Sequence, residues 1–209
     1  MSKFAKLGSV RRSWDTAIIG LLLLVWVFAS LTTSNFLTPL NFSYIFSNTS
    51  EIMIIAFAML FMIILGEIDL SVASILALGS SMLGWSYAKG APIWMAILIC
   101  ILVGTACGFV NGFLVTKLGL GSLAVTIGTL ALYRGIANGL LGENTVNEFP
   151  EFWTSFGFDT IGKSFMPKTL PLIIIFGILF GLLLHKTPFG RRTLAIGQSP
   201  EAAKFAGVN

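Results

Sequence analysis

Charge is scarce in this chain. Lys, Arg, Asp and Glu make up 11% of its 209 residues, against about 25% in a soluble globular domain. With 56% hydrophobic residues and a mean hydropathy of +0.90, that scarcity excludes an ordinary water-soluble domain. Histidine is rarer still, with His185 alone. One imidazole cannot build a metal cluster, and no spacing for zinc, haem or iron–sulfur ligands occurs. Cys100 and Cys107 stand seven residues apart in one apolar run. On a helix that is about 10 Å, too far for a disulfide, so both read as ordinary buried residues. No Gly-rich phosphate loop with its lysine is present, and the chain is not expected to hydrolyse ATP or to be an enzyme. Gly79-Ser80-Ser81 has no base placed beside it and makes a poor nucleophile site. The net charge of +4 is spread between apolar runs rather than gathered on one face, which argues against nucleic acid. We find no internal repeat of the kind a doubled transporter carries.

What is abundant is apolar runs long enough to cross a hydrocarbon core of about 30 Å. The sequence predicts an all-α transmembrane helix bundle forming a single domain over residues 1–209. Its six spans are 16–33, 48–65, 71–87, 92–116, 122–141 and 169–184. Residues 1–15 are polar and basic. Residues 34–47 hold no Lys or Arg and read as an external loop. Segment 142–166 carries Glu143, Glu148, Glu151 and Asp159 against Lys163 alone. The basic residues test this topology. Lys3, Lys6, Arg11, Arg12, Lys117, Lys186, Arg191, Arg192 and Lys204 fall on one side; Lys89, Lys163 and Lys168 fall on the other. The richer side is expected to be cytoplasmic, with the N-terminus on it.

Small residues recur at four-residue spacing: Gly104, Gly108 and Gly112; Ala73, Ala77 and Ser81; Gly135 and Gly139; Gly177 and Gly181. In lipid this lets helices approach backbone to backbone and predicts a compact bundle. Polar residues inside the runs are the candidates for chemistry. Gly66, Glu67, Asp69 and Ser71 form a glycine break with two carboxylates between apolar runs. A charge at membrane depth costs several kcal/mol unless it meets water, a partner or a helix end. The stretch is therefore either a gate or an interfacial turn in which Asp69 caps the next helix. Glu67 and Asp69 do not share a helix face, so no paired acid–base site follows. In the fifth span Thr126, Thr129, Tyr133, Arg134 and Asn138 fall on one stripe, with Asn111 and Thr105 in the fourth. Such a stripe faces either a wet passage or another helix.

The last stretch, 185–209, has its own punctuation. Ser199 is a good N-cap, Pro200 suits the first helical position, Glu201 lies at the positive end of the dipole, and Gly207 suits a left-handed stop. His185 at the preceding helix end reads as a partner of that helix's negative pole. So short a helix cannot bury a core, and its alanines would let another protein approach closely.

Motifs in three stretches of the chain then carry a resemblance. Glu201-Ala202-Ala203, three residues, then Gly207 resembles the EAA-xxx-G loop of permease subunits in bacterial ABC importers. Thr187-Pro188-Phe189-Gly190-Arg191-Arg192, followed by Ala195-Ile196-Gly197, is similar to the lead-in of the ribose-type sugar branch. Gly66-Glu67-Ile68-Asp69-Leu70-Ser71-Val72-Ala73-Ser74 is similar to that branch's GGIDLSVGS, and Ala124-Val125-Thr126-Ile127-Gly128-Thr129-Leu130 with Tyr133-Arg134-Gly135 follows in the family's order. Glu67 and Ala73 stand where glycine is common, and Gln198-Ser199-Pro200 where a Gly-Asn pair is usual.

The resemblance implies a multi-pass subunit of the bacterial inner membrane that imports a monosaccharide or related small sugar. It implies a cytoplasmic ATPase that holds the ATP, a periplasmic or extracellular sugar-binding protein, and a second permease subunit, identical or not. Glu201, Ala202, Ala203, Gly207, Gly190 and Arg191 would couple to the ATPase, with 185–196 as a rigid lever. Thr126, Thr129, Arg134, Asn138 and Asn111 would line the passage. In that family more helices follow this loop, so the permease core is expected to be incomplete at its C-terminal side. A gradient-driven carrier titrating Asp69 or Glu67, or a membrane scaffold, gives the capped helix no use.

Overall fold

The computed structural model describes residues 2–142, 144–162, 164 and 166–208, with side chains from Trp14 onward. Glu143, Lys163 and the side chains of Lys3, Lys6, Arg11 and Arg12, all used in the charge count, lie outside the described residues. The fold is all-α, about 78% helix. In chain order the helices are α1 Ser2–Thr32, α2 Pro39–Leu65, α3 Val72–Ala88, α4 Ile93–Thr116, α5 Ser122–Leu141, α6 Glu151–Phe158, α7 Leu170–Lys186, α8 Pro188–Gln198 and α9 Pro200–Phe205.

Four of these are long and apolar enough to cross a membrane, five if the bent pair α7–α8 counts as one span. Among the described residues, the expected count of six is thus approximate. Helix α3 has 17 residues, about 26 Å at 1.5 Å per residue, short of a full hydrocarbon core. Helix α2 also starts nine residues before the expected span, at Pro39. Thr38 caps it, its hydroxyl accepting from the Asn41 N–H at 3.3 Å, and Pro39 occupies the first turn. Residues 39–47 therefore form helix and not loop: a cap with a proline outweighs the low hydropathy of Asn41 and Ser43. Segment 142–166 likewise contains the short α6. It is followed by a turn in which Thr160 pairs with Pro167 and Lys168 meets Asp159 at 3.2 Å.

The helices pack in two groups. Helices α3, α4 and α5 pack on one another around Leu78, Cys107, Tyr133 and Ala137. Helices α2 and α7 pack together, and α8 lies against both, carrying α9. The second group is held by rings: Phe57 and Phe61 on α2 contact Phe180 on α7 at 6.3 and 5.8 Å between centroids. At the far end the Ser50 and Thr169 hydroxyls meet at 3.0 Å. Residues 66–71 run from α2 to α3 and join the groups.

Small residues explain only part of this packing. A Cβ on Gly79 would stand 3.1 Å from the Cys100 Sγ, one on Gly104 would stand 3.8 Å from Ile75, and one on Gly177 3.2 Å from the Phe57 ring. Gly108, Gly112, Gly135, Gly139 and Gly181 meet nothing within 4 Å. Their stripes face outward among the described residues, so the expectation of one compact bundle holds within each group and not across the chain. The apolar part of α1, Trp14–Thr32, is wholly unburied, touching its neighbours through Trp26 against Phe36 and Phe42.

Candidate functional site

At one end of the fold, α7 turns through 70° into α8. The sequence dictates the elbow. Thr187 is extended (φ −104°, ψ 158°), its hydroxyl accepts from the Gly190 N–H at 3.2 Å and donates to the Leu183 carbonyl, and Pro188 opens the next helix. One hydroxyl thus closes α7 and caps α8. His185 sits in the last turn of α7, its Nδ1 3.0 Å from the Gly181 carbonyl oxygen. The stretch 185–196, expected as one rigid lever, is divided in the structure: His185 and Lys186 belong to α7, and α8 runs from Pro188 to Gln198.

Helix α9 has the punctuation its sequence predicts. The Ser199 hydroxyl accepts from the Ala202 N–H at 3.2 Å. Gly207, at φ +80°, reverses the chain; its N–H bonds the Lys204 carbonyl at 3.1 Å and the Val208 N–H bonds the Ala203 carbonyl at 3.0 Å. That is the paired C-terminal closure which a left-handed glycine permits. The expected docking residues do not share a face, however. Ala203 is 5% exposed and points into the fold, whereas Glu201, Ala202, Lys204 and Gly207 are exposed and Phe205 is 94% exposed. Gly190 is buried on the inner side of α8, and Arg191 is exposed beside Arg192. The exposed residues of α8–α9 include two phenyl rings, Phe189 and the far more exposed Phe205, with small residues, three cations and the acid Glu201.

Behind this end lies a polar cluster. Helix α2 stops at Gly66, φ +74°, in the same closure: the Gly66 N–H bonds the Ile63 carbonyl at 3.1 Å and the Glu67 N–H bonds the Met62 carbonyl at 3.0 Å. The Asp69 carboxylate accepts from the Ser71 N–H at 2.8 Å and its hydroxyl at 2.7 Å, fixing the start of α3. Asn111 on α4 donates to the Ser71 Oγ at 2.8 Å. The Tyr133 hydroxyl on α5 lies 3.3 Å from both the Asn111 Oδ1 and the Cys107 carbonyl. The Thr126 hydroxyl lies 3.3 Å from the Ile68 carbonyl and 2.8 Å from that of Ser122. Glu67 is exposed and Asp69 half-buried.

The expected α5 stripe splits on this geometry. Thr126, Thr129 and Tyr133 are buried against the other helices, while Arg134 and Asn138 are exposed. At 100° per residue Arg134 stands about 80° and Asn138 about 120° round from Thr126. Asn111, expected beside the stripe, instead joins Ser71 and Tyr133. Sequence reasoning named Gly197 only within a motif, with no role of its own, and did not single out Phe205. The seven-residue step from Gly190 to Gly197 was the available signal for the first.

Residues 41–209 match the model of the branched-chain amino acid transport system permease component family. The chain belongs to this permease family. It is 32% identical to the autoinducer 2 import system permease protein LsrD of Klebsiella pneumoniae, over 96% of this chain and 61% of that protein. It is 34% identical to the ribose import permease protein RbsC of Bacillus subtilis, over 91% of this chain and 59% of that one. LsrD of Yersinia pestis is 30% identical over 95% of the chain and 61% of its own length. The permease chain thus spans about 60% of the length of these relatives. No solved structure matches it.

Proposed function

We propose that this chain is the membrane-spanning part of an ABC importer that takes up a monosaccharide or related small sugar and is driven by a separate ATPase subunit. The observation that carries the reading is the capped α9, held on α8 with Glu201, Ala202, Lys204 and Phe205 turned outward. Relatives named for ribose and autoinducer 2 import support the substrate class.

On this reading the α8 end is cytoplasmic. Lys117, Lys186, Arg191, Arg192 and Lys204 gather there, against Lys89 and Lys168 at the opposite end. The N-terminus lies on the same side, in the bacterial inner membrane. The ATPase receives α9, a binding protein delivers sugar at the opposite end, and a second permease subunit completes the passage. Phe205 fits a partner's apolar pocket, with Arg191, Arg192 and Lys204 facing its acidic rim. ATP stays on the partner.

A gradient-driven carrier is the competing class. It fits less well, because the Asp69 carboxylate already holds two donors of Ser71, the N-cap residue of α3, so the expected capping by Asp69 itself is replaced by this local pair. Uptake measured with a protonophore present and ATP retained decides between them. Continued uptake is expected, and collapse would refute the importer.

A further inference from the structure

Gly190 and Gly197 stand seven residues apart on α8, two turns along one face. A Cβ on Gly190 would collide with the carbonyl oxygens of Leu183 and Leu184, in the last turn of α7. A Cβ on Gly197 would collide with the carbonyl oxygen of Ile64, which ends α2, and would stand 3.1 Å from the Ile64 Cγ2. These obstacles are backbone. At Gly79 and Gly177 the nearest atoms belong to side chains, and at Gly108, Gly112, Gly135 and Gly139 nothing lies within 4 Å. Phe189 on α8 adds a ring contact to Phe61 on α2 at 5.6 Å. Helix α8 therefore bears on two membrane helices at once, backbone against backbone, while α3, α4 and α5 pack chiefly on one another.

We propose that Gly190 and Gly197 are positioning residues that fix the path of force. Seated through them, α8 passes any displacement of α9 to α2 and α7 together. Those three helices shift as one body against α3–α4–α5, and residues 66–71 are the join. Contact without a side chain leaves no soft layer to absorb the motion, because packed backbone deforms little. The inference rests on the ABC-importer reading above.

The test measures sugar uptake and ATP hydrolysis together, on the permease reconstituted in proteoliposomes with its ATPase and binding protein. Gly197→Ala should still co-purify with the ATPase and hydrolyse ATP, while sugar moved per ATP falls about 10-fold; that ratio should also fall in Gly190→Ala. Gly112→Ala, in open space, should leave that ratio unchanged. A wild-type ratio in Gly197→Ala would overturn the proposal. Should the glycine variants not assemble, a second arm decides. Ser50→Cys with Thr169→Cys ties α2 to α7 where the hydroxyls are 3.0 Å apart. Uptake should survive oxidation of that pair, because the two helices move together, and arrest on oxidation overturns the claim. Failure of the importer reading looks different: wild-type uptake itself would collapse with the protonophore.

Discussion

Asn111 offers the sharpest energetic test of the polar cluster. It is buried at 6% exposure, donates to the Ser71 Oγ at 2.8 Å and accepts from the Tyr133 hydroxyl at 3.3 Å. Asn111→Ala removes both bonds but strands neither partner. Ser71 still donates to Asp69 at 2.7 Å, and Tyr133 still reaches the Cys107 carbonyl at 3.3 Å. Side-chain bonds between membrane helices average about 0.6 kcal/mol and reach about 1.7, so the pair contributes about 1–3 kcal/mol. The cavity left by truncation adds to the raw loss, and a double-mutant cycle removes that term. We expect Ser71→Ala and Asn111→Ala to couple by about 1 kcal/mol or more, given the short distance, in equilibrium unfolding of the purified protein in mixed micelles. Tyr133→Phe and Asn111→Ala should couple by less, about 0.5 kcal/mol, because that bond is longer and its donor is shared. Zero coupling of Ser71 with Asn111, or a larger value for the Tyr133 pair, would refute the Asn111–Ser71 bond as the stronger link of the cluster.

Phe205→Ala should weaken ATPase association by about 30-fold, the effect of losing a central aromatic anchor of about 2 kcal/mol. Co-purification across a dilution series reads this, and wild-type retention would remove Phe205 from the interface. Ala202→Arg should act the same way without unfolding α9. Ala203→Arg should instead separate α9 from α8, so it tests the fold of the foot and not its partner. Arg134→Ala, on the exposed side of α5, should change stability by no more than about 0.5 kcal/mol. A fall in uptake with expression intact would then assign Arg134 to the passage. At the opposite end the Ser155 hydroxyl at 2.7 Å, and then Lys168 at 3.2 Å, hold the Asp159 carboxyl below its ordinary value of 3.8. A lowered folded value means its contribution is fully present above pH 3.8 and is lost as pH falls through the lowered value. Protection of the described amides between Asp159 and Lys168, relative to intrinsic exchange, should therefore fall under acid in the wild type and lose that dependence in Asp159→Asn.

What the sequence disclosed was whatever a local rule writes. Helix α5 begins and ends where expected, Ser122 to Leu141, because Gly121 and Gly142 flank a mainly apolar run. Helix α9 was legible from Ser199, Pro200 and Gly207 for the same reason. Where two local rules competed, hydropathy misled. Residues 39–47 are too polar to read as membrane helix, yet Thr38-Pro39 starts one. The relations between elements were not legible at all. Nothing in a count of apolar residues says that Gly108 faces open space while Gly197 presses on a carbonyl.

The adjacent alanines of α9 show how this limit bears on function. Read as letters, Ala202 and Ala203 are one motif with one role, but a helix turns 100° between neighbours and sends them to different surfaces. Ala203, 5% exposed, is small because α8 lies against it. Ala202, exposed, is free of that constraint, so a demand for small size there has to come from a partner. The two positions therefore separate internal packing from docking within a single turn. Enlarging Ala203 costs the foot its attachment in the isolated permease. Enlarging Ala202 costs nothing until the motor is present, and stability of the Ala202→Arg permease measured with and without its ATPase would expose that difference.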